Sequence, residues 1–155
     1  MAREDFTFAF DYEPGQDFDA YLAQLEENRL GRNLLPGRVR VASTFEVGLF
    51  NDRIAARLSV RHELNEFLLR QGGHIGYGVL PEFRGKGLGS ACLRRGLEIT
   101  SRLGITRALV TCDDDNHVSR HIIEKAGGQY ESSHTAPDIS VPVRRYWFVT
   151  SWPPR

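Results

Sequence analysis

A mixed α/β sheet flanked by helices is the fold class this sequence predicts, on three observations. The apolar period along the 155 residues switches repeatedly between two and about 3.6, so strand-like and helix-like segments take turns. The apolar run RALVTC at 107–112 has the make-up of a strand buried on both faces, as in a parallel pairing. The segments at 4–12, 39–49 and 54–60 alternate apolar with polar residues and so have one buried face. No repeat, low-complexity tract or linker breaks the chain, which predicts one domain over residues 1–155.

The elements follow in order. Phe6, Phe8, Phe10 and Tyr12 alternate with polar residues and predict a first strand over 4–12. Phe18, Tyr21, Leu22, Leu25 and Leu30 fall at helical spacing between Asp17 and Leu30, with Gly31 as a stop. Val39 to Leu49 alternates, NDR turns, and Ile54 to Val60 alternates again, which predicts a hairpin. RHELNEFLLRQGG predicts a short helix or structured loop, and HIGYGVL a fourth strand ending at Pro81. Leu88 to Leu103 carries a broad apolar helical face closed by Gly104. After RALVTC come a helix in NHVSRHIIEKAGG and two strands, QYESSH and VRRYWFVTS, separated by the Pro137–Pro142 loop.

Composition narrows the function. Twenty basic and 20 acidic residues leave no net field to draw nucleic acid or a membrane surface, so an anion site has to be built locally. No segment reads as a signal peptide or a membrane span, which predicts a cytoplasmic protein. Cys92 and Cys112 lack metal-ligand spacing and predict reduced thiols, with no metal centre.

The local anion site is the turn RGKGLG at 84–89, set between a strand and a helix. A glycine-rich turn at a helix start presents unpaired N–H groups and the positive end of the helix dipole, which suits a phosphate. The spacing disfavours two familiar nucleotide loops. Lys86 precedes the glycine that a P-loop lysine follows, with no Ser or Thr after it. Gly85, Gly87 and Gly89 give GxGxG with Ser90 where a dinucleotide fingerprint needs its third glycine.

Arg84, Gly87 and Gly89 match R/Q-x-x-G-x-G/A, and GYGVLPEFRGKGLG as a whole resembles the fourth strand and acyl-CoA pyrophosphate loop of the GNAT superfamily of N-acyltransferases. CDDDNHVSRHIIEKAGG resembles that family's second signature through Asn116, Ser119, Glu124, Lys125 and Gly127. A closer resemblance is to predicted bacterial acetyltransferases in which RHELN precedes GGHIGY. The resemblance implies a mostly antiparallel central sheet, splayed between its fourth and fifth strands. It also implies acetyl-CoA as co-substrate and an amine as acceptor. The late aromatic strand, for its part, could pair between two copies in a homodimer.

Site residues follow from the same resemblance. Arg84, Gly85, Lys86, Gly87, Leu88 and Gly89 would hold the CoA pyrophosphate, and the backbones of Val79 and Leu80 would pair with the pantetheine amides. Asn116 would bond the pantetheine arm, with Ser119 one turn on; Asn116 is equally a natural helix N-cap.

The chemistry asks for a base and an acid. A lysine-like amine has a pKa near 10.4, so only about one molecule in a few thousand is neutral at pH 7, a shortfall of about 4 to 5 kcal/mol. The thiolate that leaves can use a proton donor, and the tyrosine that often supplies it in the family is replaced here by Ile123. Tyr77, in phase with Val79, is one substitute, against a core role. His62 and Glu66 would form a pair over the acceptor site if RHELNEF is helical, against a solvated face. His74 reads as a sheet-face histidine and Cys112 as a buried apolar thiol. Asp113, Asp114 and Asp115 could attract a cationic amine, and Tyr146 and Trp147 could line its pocket, against solvation and core packing. Without a proton donor, the alternative is an acyl-CoA-binding module that does not turn over.

Overall fold

The computed structural model describes residues 12–33 and 42–150. Most of the strand expected over 4–12, and the start of the expected strand from Val39, lie outside them. The elements are α1 (Phe18–Arg29), β1 (Ser43–Phe50), β2 (Arg53–Arg61), α2 (Glu66–Arg70), β3 (Ile75–Val79), α3 (Leu88–Arg102), β4 (Arg107–Asp113), α4 (His117–Lys125), β5 (Gln129–His134) and β6 (Val143–Val149). The fourth strand of the sequence reading is therefore β3. A 3-10 turn, Pro81–Phe83, joins it to the glycine loop.

The strands form one sheet in the order β1-β2-β3-β4-β6-β5. Every neighbouring pair is antiparallel except β3 and β4, which run parallel. Asn51 and Asp52 make the β1–β2 turn with φ of 49° and 59°, the left-handed conformation that short hairpin turns require and that Asn and Asp tolerate.

Alternation sorts the side chains to two faces. Leu58, Val60, Ile75, Ala108, Val110, Tyr146 and Phe148 meet Leu93 and Ile99 of α3 and Ile123 of α4 in one apolar core. α3 lies close on β3 because Gly96 has no Cβ; one would stand 2.7 Å from Ile75 Cγ2. Arg95 of α3 forms a two-pronged bond to Glu46 of β1, at 2.9 and 2.8 Å. On α1, Tyr21 is buried while Phe18 and Leu22 remain exposed.

The sheet parts where the parallel pair meets. β2 and β3 pair over five residues, from Ala56–Val79 to Val60–Ile75, but the β3–β4 ladder has one pair, Ile75–Val110. Beyond it β4 leaves β3 while staying paired with β6 along its whole length, from Arg107–Val149 to Asp113–Val143. The expected splay is present, with a cavity of about 350 Å³ opening beside it. No helix among the described residues is long and apolar enough to cross a membrane.

Candidate active site

The glycine loop leads from β3 into α3. Gly85 and Gly87 have φ of 75° and 80°, and Gly87 is the left-handed N-cap of α3. A Cβ on either would meet nothing within 4 Å, so their hydrogens face open space. Among the described residues, no backbone carbonyl accepts from the N–H groups of residues 87–90. These are the orphan donors of a helix start, with the dipole's positive end behind them. Lys86 Nζ lies 5.5 Å from the centre of the Phe50 ring and brings a cation to the same edge.

Gly89 plays a different part from its two neighbours. A Cβ there would come within 2.9 Å of Ile122 Cδ1, so it lets α3 and α4 approach each other. Arg84 Nε donates to Val79 O at 3.2 Å, which ties the loop back to the end of β3.

Backbone alternation decides what β3 offers to the gap. Leu80 N–H donates to Ala55 O at 2.8 Å, and its carbonyl accepts from Phe83 N–H at 2.9 Å. Leu80 therefore has neither group turned to the gap, which corrects the expectation that it joins Val79 there. Even-numbered residues of β3 face β2, so Tyr77 and Val79 present their N–H groups on the side that β4 has left.

One wall of the cavity carries Tyr77, Cys112, Asn116 and Ser119. Asn116 caps α4, its Oδ1 accepting from Ser119 N–H at 3.0 Å, so the cap reading holds while the residue also lines the cavity. Tyr77 Oη is buried with no hydrogen-bond partner. Burial pushes this phenol above its ordinary pKa, and the nearby Ser119 hydroxyl pulls the other way without closing a bond. Burial lifts the Cys112 thiol to about 11, helped by Asp113, so it stays a neutral, inert thiol at pH 7.

The other sheet face supplies polar and basic lining: Arg57 and Arg61 alternate with the core residues Leu58 and Val60 of β2, and Gln71 and Thr111 line the cavity too. Sequence reasoning passed over these arginines. Their signal is the period-two pattern Arg-x-Ser-x-Arg in RIAARLSVR, which reads equally as a solvated face. Asp113, an exposed residue at the end of β4, also lines the cavity, its pKa raised by burial and then by Asp115.

The remaining expected residues lie elsewhere. α2 begins at Glu66 with Asn65 as its cap, after His62, so His62 and Glu66 do not share a helix face and neither lines the cavity. His62 Nε2 is 2.8 Å from Thr44 Oγ1. His74 is buried, its Nδ1 accepting from Leu109 N–H at 2.9 Å, which makes it a structural link between β3 and β4. Tyr146 is fully buried and donates to Glu124 Oε1 at 2.9 Å, and Trp147 bonds Glu131. Ile123 is wholly within the core, pressed against Gly128, so its position does not reach the cavity.

A family model described as "Acetyltransferase (GNAT) family" matches residues 4–128. The chain belongs to that family. It is an acyl-CoA-dependent acetyltransferase. This acetyltransferase shares its fold with solved structures at low identity. The protein YncA from Salmonella typhimurium, solved with its cofactor acetyl-CoA, aligns at TM-score 0.62 and 16% identity, over 94% of this chain and 81% of that one. A ribosomal L7/L12 alpha-N-protein acetyltransferase, RimL, aligns at 0.61 and 17%, over 86% and 79%. A spermidine N-acetyltransferase from Vibrio cholerae, in complex with CoA and spermine, aligns at 0.59 and 17%, over 90% and 79%. No curated protein sequence matches this acetyltransferase.

Proposed function

We propose that this acetyltransferase transfers the acetyl group of acetyl-CoA to a primary amine of a small molecule or protein, within a single domain. What carries the reading is one coincidence: unpaired N–H groups at the start of α3 stand at the end of the strand beside which the sheet opens. A phosphate-bearing, strand-like ligand fits that pair of features. The diphosphate takes the loop from Arg84 to Gly89, and the pantetheine arm lies against Val79, with Asn116 and Ser119 beyond.

Acetyl-CoA supplies the thioester: the acceptor nitrogen attacks the carbonyl carbon, the C–S bond breaks, and CoA leaves as a thiol once protonated. The chain's own residues hold the parts in place and move the protons. Tyr77 is the proton donor for the leaving sulfur, because its hydroxyl is protonated, unpartnered and inside the cavity. Asp113 of the cavity lining receives the proton of the incoming ammonium, directly or through water. His62 and Glu66 have no part in this scheme.

A second reading, binding of acyl-CoA without turnover, draws on Ile123, a core side chain at the position where the resemblance in sequence implies a tyrosine. Thiol release from acetyl-CoA over a panel of amines separates the two. Acetyl transfer predicts release above hydrolysis with at least one amine; measurable CoA binding with no release from any amine selects the second reading.

A further inference from the structure

The acceptor wall of the cavity has the wrong sign for a simple polycation. Arg57 and Arg61 project from alternate positions of β2 toward the gap, and among the described lining residues Asp113 is the only acid. Arg61 forms no ion pair among the described residues; its Nη1 donates to Gly72 O at 3.2 Å. Gly76, across the ladder, leaves room for this guanidinium, since a Cβ there would sit 2.7 Å from Arg61 Nη1. Gly72 is itself fixed, its N–H donating to Thr111 Oγ1 at 2.9 Å. The guanidinium is thus held in a built slot.

This pair is not part of the phosphate cradle. Arg61 lies beside the first residues of β3, where Val60 pairs with Ile75, whereas the cradle begins beyond the last. Four residues of strand, from Gly76 to Leu80, put about 13 Å between them. The pantetheine arm is neutral and gives a guanidinium nothing to neutralise. An arginine fork matches the planar, bidentate geometry of a carboxylate or a phosphate, and with the diphosphate assigned to the glycine loop, a carboxylate is the anion a small amine brings to it.

Resting on the acetyltransferase reading, we infer that the acceptor is an amine that carries its own carboxylate, bound through Arg61 with Arg57 beside it, an α-amino acid being the simplest case. The two opposite charges of such a molecule meet opposite charges in the cavity, its carboxylate the arginines and its ammonium Asp113. Phe67 and Val143 give the rest of the molecule an apolar surface. Burial, and then the like charge of Arg57, bring the pKa of Arg61 down to about 10, so an incoming anion relieves an existing strain on its charge.

The test compares each amino acid with the amine that lacks its carboxylate: L-phenylalanine with phenethylamine, L-lysine with cadaverine, L-methionine with 3-(methylthio)propylamine. An α-amino group is intrinsically more acidic than an alkylamine, so the ratio of kcat/KM within each pair is read against Arg61→Gln. In that variant the acidity difference persists and the guanidinium is gone. We expect at least one amino acid to be preferred, and its ratio to fall by about tenfold or more in Arg61→Gln and by less in Arg57→Gln. Thiol release with both members of each pair, at ratios unchanged in both variants, overturns the inference and leaves acetyl transfer standing. If no amine releases thiol, titration of the same amino acids into the CoA complex by calorimetry decides the anion site alone. Binding lost in Arg61→Gln supports the site while transfer falls, and no binding overturns it. Arg61→Lys, which keeps the charge without the fork, serves if Arg61→Gln does not fold.

Discussion

Ile75 and Val110 form the single ladder pair between β3 and β4, and the cavity opens where that pairing stops. What holds the two strands together at that point decides how wide the gap is. Gly73 stands just before the pair with φ of +59°, and a Cβ there would lie 2.5 Å from Leu109 O. Gly73→Ala therefore combines a disfavoured backbone conformation with a clash against backbone that cannot yield. We expect a loss of at least about 2 kcal/mol, a fall in Tm of roughly 4 to 8 °C. Gly89→Ala, which meets the flexible end of Ile122 at 2.9 Å, should lower Tm by less. Thermal denaturation of both variants checks the order.

Reversing the charge at the loop should act on binding rather than folding. Arg84 is exposed, so Arg84→Glu is expected to leave Tm within a few degrees of the parent. It places a carboxylate beside the diphosphate site, and the Kd of CoA should rise by about tenfold or more, or ~1.4 kcal/mol. Isothermal titration with CoA measures this; an unchanged Kd removes Arg84 from the site.

Tyr77→Phe separates catalytic from structural importance. The hydroxyl is buried without a partner, so removing it should leave stability unchanged or raise it by up to about 1 kcal/mol. Loss of the proton donor should lower kcat by about 100-fold with little change in the KM of acetyl-CoA. Full activity in Tyr77→Phe would assign the proton to another group.

His74 predicts an acid-sensitive fold. Burial, and then Arg61, bring its pKa from 6.5 to about 4. The folded protein takes up this proton later than the unfolded chain, so the group's contribution to stability is complete above pH 6.5. It is lost as the pH falls from there toward 4. His74→Asn offers Leu109 N–H an acceptor that does not titrate in this range. Its Tm should fall less steeply across the same window, as thermal melts from pH 7.5 to 4 would show.

Local pattern carried most of the fold. The two-residue period marked β1 and β2, and the apolar run RALVTC marked the strand with a parallel partner. The glycine loop was legible because it is a backbone feature: glycines and a helix start present unpaired N–H groups wherever the chain goes next. The acceptor side was not, because it is made by residues distant in sequence. Arg61, Gly72, Gly76 and Thr111 meet only through pairing of β2, β3 and β4. His62 and Glu66 fit a helical spacing that the Asn65 cap cuts short. Leu80 turns away from the gap because a one-residue step reverses which neighbour a strand amide faces, and sequence alone leaves that parity open.

The central claim is that acetyl-CoA lies along the start of α3 and in the gap left by β4. Backbone amide chemical shifts, followed by NMR as acetyl-CoA is added, test it most directly. The largest shifts are expected at Gly85 to Ser90, Tyr77, Val79 and Ser119, with little change along β5. Saturable binding that shifts β5 and leaves the N–H groups of residues 87–90 in place would contradict it.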